Sequence, residues 1–330
     1  MESYFKTAAC VSWKDWALGF IPFLTKEPYV LPKSKVEYSI PENMEPTLIK
    51  TTIESAREIS DFLGSYYYDS SSEYSLVLSP RLILHLLQTK QMIGLEIRDK
   101  TKIIACMFEF YMGMYKDKRV GLHSWLCIHP SWRRKGLTNL IANTMTYNTP
   151  TAVDIIWFRN DSLLQNPLPP IYSTRMMERR IRQKLSPFVE KKNYEHCKEE
   201  FINLWKKENP TGFVFDTPTT VGTQFTIWGF EKEGRGLWAL VQPTHEVKKG
   251  KGQHGCEVLH IVSHGFKDWY EKIQTFEILV DALPFDYCEC SIEVPHIEAL
   301  WTLRGICTWS TVFLHPGRPF QRPVLSMVAS

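Results

Sequence analysis

Arg133, Arg134, Lys135, Gly136, Leu137 and Thr138 bring three cations and a glycine together at one turn. They follow an apolar, strand-like run, Trp125-Leu126-Cys127-Ile128, that breaks at Pro130, and they lead into a stretch with helical character. A basic turn at a helix start offers unbonded backbone N–H groups, a positive dipole end and cationic side chains together. That combination suits a pyrophosphate. A solvated charge run would explain Arg-Arg-Lys alone; the strand before it and Gly136 within it point to phosphate. Asp69, beside Tyr66 and Tyr67 in a tyrosine- and serine-rich loop, offers a carboxylate to an amine, or is simply a solvated loop residue.

Other reactive residue types carry less. His129 reads as a turn or core histidine. His254, His260 and His264 lack metal-ligand spacing, and Cys288 and Cys290 put two thiols on one strand face with no partner pair nearby, so no metal site is expected. Ser263-His264 has no nucleophile-elbow context. The cations Arg175, Arg179, Arg180, Arg182 and Lys184 read as the solvated face of a helix.

These residues need elements to position them. A helix is expected over 47–64 and a second opening at Ser79-Pro80, with Ser79 as N-cap and Pro80 at the first position. A hairpin follows (92–98 and 102–112), then the apolar strand, the basic turn, a helix to about Tyr147 and a strand over 152–158. Helices are expected over 173–185 and 190–207. The last third repeats the order: a hairpin (224–231 and 236–241), a strand (257–262), a helix (265–282), a strand (287–292), a short helix (296–303) and a final strand (310–314). Ser263-His264-Gly265-Phe266 stands where the basic turn would be.

At 330 residues the chain has room for two domains or two fused half-domains. A net charge of +3 argues against general nucleic-acid binding. Eight cysteines without a CxxC pair, no signal peptide and no apolar run near the ~20 residues of a membrane span point to a cytoplasmic protein with reduced thiols. A start of Met-Glu means the chain is not itself an N-myristoylation target.

With these pieces placed, the chain resembles the glycylpeptide N-myristoyltransferase family, as a divergent member. Arg133-x-x-Gly136-x-Thr138 is similar to the R/Q-x-x-G-x-G/A loop with which GNAT acyltransferases hold coenzyme A. Four stretches carry the resemblance in order: Glu27 to Pro32 (EPYVLP), Ser65 to Leu87 (SYYYDSSSEYSLVLSPRLILHLL), Ser124 to His129 with Arg133-x-Lys135-x-Leu137, and Pro170 to Arg175 (PIYSTR). The resemblance implies an α/β (α+β) GNAT fold. It would have two tandem halves in a pseudo-twofold arrangement, each a mixed, mostly antiparallel sheet flanked by helices. The division expected is an N-terminal arm (1–35), an acyl-CoA-binding half (36–190) and a second half without a phosphate loop (191–330) that contributes to a peptide groove.

The implied activity is acyl-CoA-dependent N-acylation, with myristoyl-CoA as co-substrate rather than bound cofactor and a glycine-initiated peptide as acceptor. Backbone N–H groups of Trp125 and Leu126 would form the oxyanion hole. Arg133 to Thr138 would hold the cofactor phosphates. Tyr66, Tyr67, Asp69 and Ser173 would meet the peptide. The carboxylate of Ser330 would act as base by analogy, a frayed terminus being the alternative. The family's acidic run is reduced to Asp69, and its Tyr-Trp-His is Met176-Met177-Glu178 here. Those departures keep two other readings open: a non-catalytic acyl-CoA- or protein-binding module, and a GNAT acetyltransferase acting on another amine.

Overall fold

The computed structural model describes residues 44–115, 118–147, 153–160, 172–208, 226–291 and 301–313. The chain divides into two units, one of residues 1–160, 164–171 and 308–320, the other of 161–163, 172–307 and 321–330.

In the first unit, β1 (Thr47–Leu48) pairs with Leu95 and Glu96. Thr52 then caps α1 (Ile53–Tyr66), its side-chain oxygen accepting from the Ser55 N–H at 3.3 Å. After β2 (Tyr74–Leu76), Ser79 turns the chain into α2 (Pro80–Gln88), where Pro80 occupies a position whose N–H would have no helical acceptor anyway. Three antiparallel strands follow, β3 (Met92–Asp99), β4 (Lys102–Tyr115) and β5 (Lys118–Ile128). A 3₁₀ turn (Pro130–Trp132) and α3 (Leu137–Tyr147) return the chain to β6 (Ile155–Asn160), which runs parallel to β5. Thr308–Phe313 closes this sheet against β6. Ala56, Ile59 and Leu63 of α1 and Ile83 and Leu86 of α2 pack with Cys106 and Phe108 on one face. Leu137, Ile141 and Met145 of α3 pack with Ile97, Ala105 and Met107 in a separate cluster. Each buried Leu, Ile, Met or Phe side chain among these contributes roughly 1.5–3 kcal/mol.

The second unit holds β7 (Tyr172–Arg180), β8 (Val189–Lys192), α4 (Tyr194–Glu208), β9 (Thr226–Lys232), β10 (Arg235–Lys248), β11 (Gln253–His264), α5 (Trp269–Asp281), β12 (Tyr287–Ser291) and the Thr302–Cys307 part of β13 (Thr302–Phe313). Its strand order is β13-β7-β12-β11-β10-β9-β8, with β11 and β12 parallel. Asp268 caps α5, which buries Phe276, Leu279 and Val280 with Leu237, Val258 and Cys288. Gly265, at φ +77°, ends β11; a Cβ there would stand 2.3 Å from the Gly234 carbonyl oxygen. Three antiparallel strands, a helix and a strand parallel to the third thus occur twice, as β3-β4-β5-α3-β6 and as β9-β10-β11-α5-β12.

Several expectations are corrected. Residues 173–185 hold no helix: β7 runs to Arg180, pairing Met176 with Ser291 and Arg180 with Tyr287. By this pairing β7 belongs to the second unit. The helix expected from Thr47 begins at Ile53, because Thr47 and Leu48 pair with β3. The one expected from Glu190 begins at Tyr194, because Val189–Lys192 pairs with β9. Thr302 and Leu303, expected in a helix, are in β13. The N-terminal arm and residues 296–300 lie outside the described residues.

Gln242, Glu257, Glu289 and Glu178 stand opposite one another across β10, β11, β12 and β7. Glu178 pairs with Lys248, and Glu289 and Glu246 with Arg304. Burial pushes the Glu289 carboxyl up to about 8, against the opposing pull of Arg304. Its pKa when folded lies above the unfolded value, so the native state binds more protons between about pH 4.5 and 8 and loses stability as pH rises through that window. Glu289→Gln should therefore melt higher than the parent at pH 8, by a margin that shrinks toward pH 5. A margin independent of pH would show that Glu289 is ionised throughout.

Candidate functional site

The apolar strand that precedes the basic turn is irregular where chemistry is expected. Cys106 faces Cys127 and Phe108 faces Ser124, so Trp125 and Leu126 of β5 stand opposite Met107 alone, a β-bulge. Trp125 has φ +47°, which costs a residue with a Cβ on the order of 1–2 kcal/mol. Its ring packs edge-on against Phe108 at 5.7 Å and Phe110 at 4.7 Å between centroids. Aromatic contacts of this kind contribute about 0.5–1.5 kcal/mol each, enough to offset the strain. Pairing between β5 and β6 runs from Val120 to His123 and goes no further among the described residues. Bulge and loss of the neighbouring strand coincide, so the Trp125 and Leu126 amides lie beyond the β5–β6 ladder.

Two residues before the bulge, His123 Nε2 stands 2.9 Å from Glu109 Oε2 of β4, and both side chains are buried. The two residues are directly paired across the strands. This pair is absent from the sequence reading. Its signal is a single acid in the apolar run CMFEFYM and a single histidine in VGLHSWL, brought together only once the hairpin register is known.

Beyond β5, His129 Nδ1 accepts from the Ser131 N–H, which starts the 3₁₀ turn, and its ring lies 4.5 Å from Tyr66. That makes it a turn histidine. Arg134 has φ +64° and Gly136 φ +85°. No atom lies within 4 Å of a Cβ built at Gly136, so glycine answers to the backbone angle there and not to crowding. The first helical bond of α3 is Leu140 N–H to Gly136 C=O at 3.2 Å, which leaves the amides of Leu137, Thr138 and Asn139 outside the helical ladder. Leu137 is buried in the core, so it offers the turn its backbone alone. Lys135 is exposed, its Nζ 4.4 Å from the Trp132 ring centroid.

Arg133 has a structural engagement. Nε donates to the Ile128 carbonyl at 3.1 Å and a terminal nitrogen to the Tyr66 carbonyl at 3.0 Å. It ties the end of β5 to the end of α1, where carbonyls lack helical donors. Arg133→Ala should lower unfolding stability by about 1–3 kcal/mol, the range for charge-assisted hydrogen bonds. Arg134→Ala should stay within about 0.5 kcal/mol, since its side chain is exposed and has no hydrogen bond or ion pair among the described residues. Chemical denaturation of both variants checks the contrast.

Tyr66 also touches Phe62, while Tyr67 packs on Tyr68 and Tyr68 on Tyr74. Asp69 Oδ1 accepts from the Ser71 hydroxyl at 2.6 Å and from the Ser71 and Ser72 N–H groups at 3.0 Å. These bonds, the Ser71 hydroxyl foremost, hold its carboxyl below the usual value, with a smaller contribution from the Arg133 charge. The structure therefore brings Tyr66, Asp69 and Arg133 into one neighbourhood, next to the turn that carries Arg134 to Thr138. Ser173 lies in β7 of the second unit. Ser330 lies outside the described residues. Among the described residues no group of three or more His, Cys, Asp or Glu side chains could hold a metal, and no helix is long and apolar enough to cross a membrane.

No protein-family model matches the sequence, and comparison with curated proteins gives no match. Solved structures do match. N-myristoyltransferase of Saccharomyces cerevisiae with bound myristoyl-CoA superposes over 89% of this chain and 85% of its own, with a TM-score of 0.61 at 13% identity. A second structure of the yeast enzyme with the same ligand covers 90% of this chain and 93% of its own, with a TM-score of 0.59 at 11% identity. At such identities the likeness establishes fold: a GNAT-like α/β architecture in two tandem halves.

Proposed function

We propose that the chain is an acyl-CoA-dependent N-acyltransferase, and that it moves myristate from myristoyl-CoA to the N-terminal glycine of a peptide. The observation that supports this reading is the bulge at Trp125, set where β5 leaves β6 and nine residues before a helix-start turn with two left-handed residues. An amine attacks the thioester carbonyl, and negative charge develops on its oxygen. The Trp125 and Leu126 N–H groups receive that charge. The C–S bond breaks, coenzyme A departs as thiolate, and the ammonium proton passes to a base, for which the Ser330 carboxylate is the candidate by analogy. The amides of Gly136 to Asn139, with Arg134 and Lys135, hold the phosphates.

One specific observation favours the non-catalytic reading: Asp69, which alone keeps its charge where the family's acidic run stands, spends one carboxylate oxygen on its own turn. Incubating the protein with labelled myristoyl-CoA or acetyl-CoA and a glycine-initiated peptide separates the alternatives. Transfer of myristate is expected, and it should stop without loss of acyl-CoA binding when the last residues are removed. Binding of myristoyl-CoA with no transfer assigns a binding module, and transfer of acetate alone assigns a short-chain enzyme.

A further inference from the structure

Arg179, Arg180, Ile181, Arg182, Gln183 and Asp286 line a cavity of about 540 Å³ in the second unit. The basic run that suggested a helix face is extended here, and that changes where its charges go. In an extended chain alternate residues share a face. Arg179 and Ile181 are buried, while Arg180 and Arg182 are exposed on the other side.

The buried arginine is already neutralised: Arg179 pairs with Glu277 and Asp281 and lies 5.6 Å from the centre of the Trp301 ring. The cavity wall is tied by backbone bonds. Ile181 N–H donates to the Asp286 carbonyl at 2.9 Å, Arg182 N–H to Asp281 Oδ1 at 3.2 Å and Lys184 N–H to the Asp281 carbonyl at 2.7 Å. The acid in the lining, Asp286, accepts the His254 N–H at 2.8 Å. Arg180 and Arg182 form no ion pair among the described residues. Two exposed arginines two residues apart thus line one concavity on a backbone held by these bonds, with Asp286 as the one acid in the lining.

We infer that this cavity is a second anion site, built to take the dianionic phosphate of a phosphomonoester between Arg180 and Arg182. A planar guanidinium fork matches two phosphate oxygens at once, and two forks match the two charges of the dianion. The inference does not rest on the acyl-transfer reading, because none of its residues belongs to the turn in the first unit.

The test is calorimetric titration of inorganic phosphate at low ionic strength into the full chain carrying Arg134→Gln and Lys135→Gln, which removes the two cations assigned to phosphate at that turn and leaves its backbone amides as a background common to every variant. Adding Arg180→Gln and Arg182→Gln should weaken binding by at least about tenfold, the scale of losing charge-assisted bonds. Arg180→Lys with Arg182→Lys should fall between, since charge remains and the fork is lost. Cosedimentation with phosphatidylcholine vesicles, with and without phosphatidic acid, tells the source: binding that needs phosphatidic acid and both arginines assigns a lipid headgroup, and binding of free phosphate alone assigns a soluble ester. Unchanged affinity in the Gln variant, or equal heats from sodium chloride at matched ionic strength, overturns the inference and leaves a solvated basic face.

Discussion

Replacing Leu126 by its α-hydroxy analogue, so that an ester oxygen stands where the amide N–H was, should lower acyl-transfer turnover by about 10²–10³-fold, the cost of removing one oxyanion donor. The side chain stays, so binding of acyl-CoA should change little. The expectation follows from the bulge. In the proposed reaction the Trp125 and Leu126 amides, which lie beyond the β5–β6 ladder, meet the developing charge, and donors fixed in place cost no reorganisation as the charge forms. Trp125→Gly provides the complementary arm. Glycine adopts φ +47° without strain but forfeits the contacts with Phe108 and Phe110, so it should retain the hole and lose stability. Single-turnover kinetics separates the two effects. An ester variant that turns over at the parental rate would move the oxyanion hole elsewhere.

How far the sequence shows this depends on the distance over which each feature is decided. Ser79-Pro80 and Gly136 act within a few residues, through a fixed proline φ and a left-handed glycine, and both are legible as helix starts. The succession of hairpin, strand, turn and helix is legible for the same reason, and with it the fold. The segment from Ser173 to Arg182 is not. Its cations fit a helical period, but its ladder partners lie more than a hundred residues away, where Arg179 faces Cys288. Arg133 is read from its neighbours as a phosphate ligand, yet one of the carbonyls it holds belongs to Tyr66, 67 residues earlier. Asp69 reads as an acceptor for an amine because its turn bonds to Ser71 and Ser72 depend on backbone angles. The residue types at the site are therefore visible in the sequence, while the partners that occupy them are set by register.

Glu109 is where register matters most for stability. Glu109→Ala should lower unfolding free energy by about 3–5 kcal/mol, because it strips the partner from a buried polar group and opens a void between strands. The void is bounded: a Cβ at Gly121 would meet the Glu109 side chain at 3.1 Å, so this carboxylate already fills the space that Gly121 leaves. Glu109→Gln keeps that volume and one acceptor and should cost less. Replacing both partners, Glu109→Leu with His123→Leu, should recover much of the loss, since the double variant leaves neither member of the pair stranded. Denaturant midpoints at constant m-value for the parent, Glu109→Leu, His123→Leu and the double variant complete the cycle and give the coupling between the two sites. The pair ties β4 to β5 two residues before the bulge, so its removal should also loosen the backbone at Trp125 and Leu126. Turnover in Glu109→Gln should then fall while acyl-CoA affinity holds. A loss of stability below about 1 kcal/mol in Glu109→Ala would mean that the pair clamps nothing and that the bulge is held by its aromatic contacts alone.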